Sequence, residues 1–294
     1  MKMITSGAGL PRLKFPNAGA EKTDRLGWTA GFSIKSYGVR IGIRSNDLDL
    51  LDRVRQHLPH DWQNASSPVV DRVYSILAAG AGQRSNARRF NILYRDYLQI
   101  ERSLDMETVL ERFESDLRIF VAELAPHRVF VHAGVVGWKG KAIVIPGRSY
   151  SGKSTLVAEL VRAGATYYSD EYAVFDSRGR VHPFAKPLEL RDEGKYEQTK
   201  VTVAELGGLS GTRPLPVGLV LMTHFKSGAR WRPRQLTPGK GVLELLFNTV
   251  SARRNPERAI TTLHRVTSQA AVLKGVRGNA AELVPAMLAR VANK

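Results

Sequence analysis

The chain has 294 residues, 43% of them apolar and 24% charged, with no cysteine and a formal net charge of +17. That length suits one large α/β domain or two smaller ones, and the absent thiols exclude disulfides, thiolate zinc sites and cysteine nucleophiles. The basic residues invite a nucleic-acid reading, but their clusters (Arg84, Arg88 and Arg89; Arg230, Arg232 and Arg234; Arg253 and Arg254) are short and lack interleaved aromatics, so they read as solvated faces and nucleic acid is disfavoured as a partner.

Residues 1–30 carry Gly, Pro, Lys and Asp without apolar periodicity and read as a loosely ordered arm. Their start is too short and broken for a signal peptide, and no apolar run approaches the ~20 residues of a membrane span. A cytoplasmic protein without a span is expected. From Phe32, apolar residues alternate around Tyr37-Gly38 as in a hairpin. Asn46, Asp47 and Asp49 open a helix with Leu50, Leu51, Val54 and Leu58 on one face, and Pro59 stops it. Strands are expected at 70–77 and 90–98, and Asp105 opens a longer helix with Val109, Leu110, Phe113, Leu117, Phe120, Val121 and Leu124 on its stripe, closed by Pro126. Residues 31–127 thus read as a small α+β amino-terminal region with no recognisable chemistry.

A strand over 129–136 turns into the apolar run Lys141–Ile145, which feeds Gly147-Arg148-Ser149-Tyr150-Ser151-Gly152-Lys153-Ser154 and then Thr155. This fits the phosphate-loop pattern G-x-x-x-x-G-K-[ST] at every fixed position. Leu156, Val157, Leu160 and Val161 follow at helical spacing and stop at Gly164. Strand, glycine loop and helix together place successive backbone N–H groups and a helix amino terminus around a polyphosphate. Lys153 would reach the terminal phosphates, and the Ser154 hydroxyl would hold Mg²⁺. A chance Gly/Ser turn between core elements is the plainer alternative, and the correct flanks count against it.

Residues 165–169 then lead into Asp170-Glu171, and a hairpin over 173–181 turns at Asp176-Ser-Arg-Gly179. A short strand at 188–190, a polar glycine-bearing loop over 191–214, a strand at 216–222, helices near 237–250 and 256–266, a strand at 270–275 and a helix over 279–292 complete the chain. Asp170 and Glu171 follow a strand one βα unit after the loop, which predicts the carboxyl edge where ligands of open α/β sheets bind. One carboxylate would hold Mg²⁺ and the other take the proton of an attacking hydroxyl; a solvated pair at a strand end is the alternative. His132 is either a satisfied core histidine or the group that orients one of these acids. Glu189, inside a short apolar strand, needs a partner or a metal, and Arg191 is a candidate partner.

Val131-His-Ala-Gly-Val135, the 147–154 loop, Ala163-Gly164, Ser169-Asp-Glu171 and Glu189-Leu-Arg191, in that order, resemble the catalytic domain of bacterial HPr kinase/phosphorylase and its related kinases. The resemblance covers about 128–191 and implies an α/β fold with a mixed sheet, the phosphoenolpyruvate-carboxykinase-like variety of P-loop domain, over residues 128–294. By that similarity Lys153 contacts the β- and γ-phosphates of ATP, Ser154 and Glu189 hold Mg²⁺, His132 supports the acidic pair, and Glu171 is the general base. The family's usual base is aspartate, so the longer Glu171 leaves Asp170 able to share the role. The family's later arginine has no aligned counterpart; Lys240, Arg253 and Arg254 are candidates. The amino-terminal region looks more like the stand-alone HPr-kinase-related proteins.

The resulting expectation is an ATP- and Mg²⁺-dependent kinase that phosphorylates a hydroxyl, a serine of a small protein or peptide, with homo-oligomerisation left open. The competing expectation is a nucleotide-binding regulatory or scaffold protein switched by ATP occupancy.

Overall fold

Alternating apolar residues around Tyr37-Gly38 form the hairpin of Ala30–Ser36 and Val39–Ser45. Tyr37 (φ 46°) and Gly38 (φ 92°) both take the left-handed conformation that a tight hairpin turn requires. The computed structural model describes residues 4–5, 10–15, 17–59, 61–80, 90–147, 151–191 and 198–292. Over these it is a mixed α/β protein with several mixed sheets and seven helices. The chain divides into two compact units, Met1–Pro126 and His127–Lys294.

In the first unit Val39–Ser45 runs parallel to Arg72–Leu77, and the sheet continues antiparallel through Asn91–Arg95 and Leu98–Ser103. The stretch expected as one strand over 90–98 is therefore two, because Asp96 (φ 58°) reverses the chain without a glycine to announce it. The Asp105 carboxylate accepts the N–H groups of Glu107 and Thr108 and caps the helix Met106–Leu124. That helix buries Val109, Leu110, Phe113, Leu117, Phe120 and Val121, with Phe113 edge-on to Tyr74 at 5.1 Å. Residues 17–28 lack apolar periodicity yet carry a helix, Ala18–Asp24, capped by Asn17. Trp28 is buried beneath the Arg44 guanidinium, which lies 4.9 Å from its ring and pairs with Asp24. Charge and ring contacts, invisible to periodicity, hold this segment.

The second unit is built on a sheet in the order Val181–His182, Tyr172–Phe175, Val129–Trp138, Lys141–Pro146, Val217–Phe225, Ala271–Arg277, Arg234–Gln235. Lys141–Pro146, Val217–Phe225 and Ala271–Arg277 are mutually parallel, while Val129–Trp138 opposes them. Alternation sorts the two faces. Ile143, Ile145, Leu219, Leu221 and Leu273 pack with the helices Lys153–Arg162 and Ala280–Ala292. Ala142, Val144, Val220, Met222 and Val272 pack with Pro238–Leu246 and Pro256–Gln269. Among the described residues, no helix is long and apolar enough to cross a membrane.

Candidate active site

Three neighbouring strands bring the sequence motifs to one level of the sheet. Lys141–Pro146 ends with Pro146 opposite Ala133, and the next N–H, that of Gly147, donates to the His132 carbonyl at 3.2 Å. On the other side of Val129–Trp138, two short strands run antiparallel to it in succession: Thr166–Ser169 and Tyr172–Phe175. Asp170 and Glu171 interrupt them, and the Ala133 N–H donates to the Glu171 carbonyl at 3.1 Å. The acids directly follow Ser169, the last residue of Thr166–Ser169, at the carboxyl end that their sequence position suggested. They stand at a break in a ladder that resumes. The cause is local: the Ser169 hydroxyl oxygen accepts the N–H groups of Glu171 (3.1 Å) and Tyr172 (3.0 Å), closing a tight turn before pairing restarts at Tyr172 opposite His132.

Of the glycine loop, Gly147 and Ser151 onward are described; Arg148, Ser149 and Tyr150 lie outside the described residues. The helix Lys153–Arg162 opens directly from Gly152, whose φ of 77° suits glycine, and among the described residues no side chain caps it. Its first-turn N–H groups are thus left for an anion. Arg277, only 2% exposed, reaches this point from the end of its own strand and donates to the Gly152 carbonyl at 2.7 Å and the Gly278 carbonyl at 3.0 Å. Burial lowers the pKa of its guanidinium. A Cβ on residue 152 would lie 2.6 Å from that group. Gly134 matters for the same kind of reason, since a Cβ there would come within 2.4 Å of Val157 Cγ2 and 3.1 Å of Lys153 Cγ. Its bare backbone gives the lysine stem its channel.

The Lys153 ammonium ends 3.8 Å from Asp170 Oδ1. That oxygen is shielded from solvent and has no hydrogen-bond partner among the described residues. Burial raises the pKa of Asp170, against the downward pull of the Lys153 charge and a Ser154 hydroxyl hydrogen bond. Glu171 lies 3.0 Å from the Lys186 ammonium, which also meets Glu189 Oε1 at 3.4 Å. Lys186 is itself fixed by the Tyr167 hydroxyl, which donates to its carbonyl at 2.8 Å. The side-chain partner shown for Glu189 is thus Lys186, three residues back. His132 is exposed, with its ring 4.7 Å from that of Tyr172. Partial desolvation lowers its pKa; the Glu171 charge opposes this and the Lys153 charge adds to it.

The structure thus gathers Lys153, Ser154, Asp170, Glu171 and His132 around one level of the sheet, with Glu189 joined through Lys186; Thr155 is exposed on the first helical turn. Among the described residues, no three His, Asp or Glu groups converge as a metal site. Lys240, Arg253 and Arg254 are exposed. Sequence reasoning missed Lys186, in a proline-flanked stretch without pattern, and Arg277, whose place at the loop follows only from the register of Val217–Phe225 on Ala271–Arg277. Neither a protein-family model nor a curated protein matches the chain.

Proposed function

We propose that residues 127–294 form a P-loop domain of the phosphoenolpyruvate-carboxykinase-like kind that binds ATP with Mg²⁺ and transfers the γ-phosphoryl group to a hydroxyl, a serine of a small protein or peptide. One observation carries this reading: a lysine opening a glycine-started helix points its ammonium at a buried carboxylate that has an oxygen to spare. Mg²⁺ uses one or two carboxylates and lets phosphate oxygens and water complete its octahedron, so the Ser154 hydroxyl and the orphaned Asp170 Oδ1 fit it without an all-protein cage. When bound, the ion neutralises charge on the phosphates.

The chain's own residues would do the rest by position and charge. Unclaimed N–H groups of the helix start and the Lys153 ammonium draw the terminal phosphates into place. Asp170, the more buried acid, serves the loop side. Glu171, more open and steadied by Lys186, accepts the proton of the attacking hydroxyl. His132 lies beside Glu171 and is kept neutral by its lowered pKa, so that it supports this acid without adding a charge. Glu189 holds Lys186 from the far side.

Titration calorimetry with Mg-ATP, followed by γ-labelled ATP and a lysate or peptide pool, tests the reading. Label on a peptide or protein is expected; release as free phosphate alone, or unchanged ATP, would contradict the kinase. Lys153→Ala should lower transfer at least ~10³-fold with an unchanged circular dichroism spectrum. Glu171→Gln should cost a comparable factor in turnover while leaving the affinity for Mg-ATP within about twofold.

A further inference from the structure

Beside the loop, on the opposite side from the acidic pair, lies a cavity of about 490 Å³ whose floor includes Pro146, the residue preceding Gly147. Its walls come from the ends of Val217–Phe225 and Ala271–Arg277, from the segment carrying Arg232 and Arg234, and from Glu244 and Asn248. It belongs to the same structural unit as the catalytic groups. Asn248 accepts the His132 N–H at 2.7 Å through its backbone carbonyl, and the His132 carbonyl accepts the Gly147 N–H. The segment over it is held down because Gly275 has no side chain: a Cβ there would lie 2.9 Å from the Trp231 ring and 3.1 Å from Pro233 Cα. This close approach sets Arg232 and Arg234 at the rim.

The charge balance of the cavity is uneven. Lys274 is paired with Glu244, the carboxylate of the lining. Arg232 and Arg234 are exposed, and among the described residues no carboxylate pairs with either. Two guanidiniums at the mouth of a cavity within the ~300–1,000 Å³ range of ligand sites form a binding site for anionic groups, with the planar forks that carboxylates fit.

We propose that this cavity is the acceptor's docking subsite and that it takes carboxylate side chains flanking the phosphorylated serine, so that the acceptor is an acidic peptide segment. The proposal rests on the kinase reading for its place in the reaction, but not for the binding itself. Its open, exposed rim suits a peptide laid across the sheet's edge, and its volume accommodates one or two acidic side chains.

A fluorescein-labelled decapeptide of glutamates around one serine, titrated with the full chain in the absence of ATP, tests binding alone. Saturable binding is expected, with a Kd raised about tenfold by Arg232→Glu and more by the Arg232→Glu/Arg234→Glu pair. The affinity of both variants for Mg-ATP should be unchanged, which also shows that they fold. Absence of peptide binding, or binding indifferent to both charge reversals, overturns the proposal, as does tighter binding of a single-stranded oligonucleotide of equal charge. In phosphotransfer assays the same reversals should raise KM for the acidic peptide and leave kcat intact. If Mg-ATP does not bind at all while the peptide still does, the kinase reading fails and the anionic subsite stands.

Discussion

Asp170 is held where a carboxylate is least comfortable. Its folded pKa is raised by burial, so its contribution favours the fold in acid and turns against it as pH climbs through the carboxylate range. Asp170→Asn should therefore raise Tm relative to the parent by an amount that grows from pH 4 to pH 7, while abolishing phosphotransfer; a variant that is less stable at pH 7 and no worse at pH 4 would refute the account. This is the trade between stability and function expected of a charge that serves the proposed chemistry. The residues legible in the sequence were those whose spacing is a covalent fact: Gly147, Gly152, Lys153 and Ser154 in one motif, and Asp170 beside Glu171. Lys186 and Arg277 were not legible, because each earns its position from a fold contact, the Tyr167 hydroxyl in one case and a strand register in the other.

At the scale of elements, Arg277 ties the end of one strand to the start of a helix from another part of the chain, through two carbonyls and a buried charge. Hydrogen bonds to charged groups contribute ~1.5–3 kcal/mol each. Arg277→Lys keeps the cation but cannot span both carbonyls, so the Kd for Mg-ATP should rise about tenfold while the spectrum of the fold is retained. An unchanged Kd would show that the strut does not shape the loop. Helices and hairpins were read well where caps and periodicity agreed, as at Asp47, Asp105 and Tyr37-Gly38. The 90–98 stretch was misread because Asp96 takes a left-handed turn that aspartate tolerates but seldom signals. The interrupted strand at 166–175 escaped notice because two short runs on one partner look, in sequence, like any strand followed by a turn.

The whole molecule carries a formal charge of +17, spread too thinly to mark a nucleic-acid footprint yet large enough to create a long-range field. Such a field raises encounter rates with acidic partners and is screened beyond a Debye length of ~10 Å at 0.1 M salt. For an acidic acceptor, kcat/KM should fall about tenfold between 0.05 and 0.5 M salt with kcat nearly constant; equal loss in both would point to a salt effect on the chemistry instead. The mixed α/β character could be read from the chain, since apolar runs and helical patterns both recur from Val129 onward. Strand order could not, because an opposed central strand, Val129–Trp138, placed between the loop strand and the acids depends on pairings that no local pattern encodes.

The gap between Ser169 and Tyr172 also limits how this chain can diverge. The pairing keeps one register across that gap, with Val135 opposite Ser169 and His132 opposite Tyr172, so deleting one residue there would slip Tyr172–Phe175 by one place and exchange Ala173 and Phe175 with Tyr172 and Val174 between two faces that are both buried. The two acids are thus spacers as well as the proposed reagents: a lineage can exchange them, but it cannot excise them without unseating the hydrophobic layers on either side.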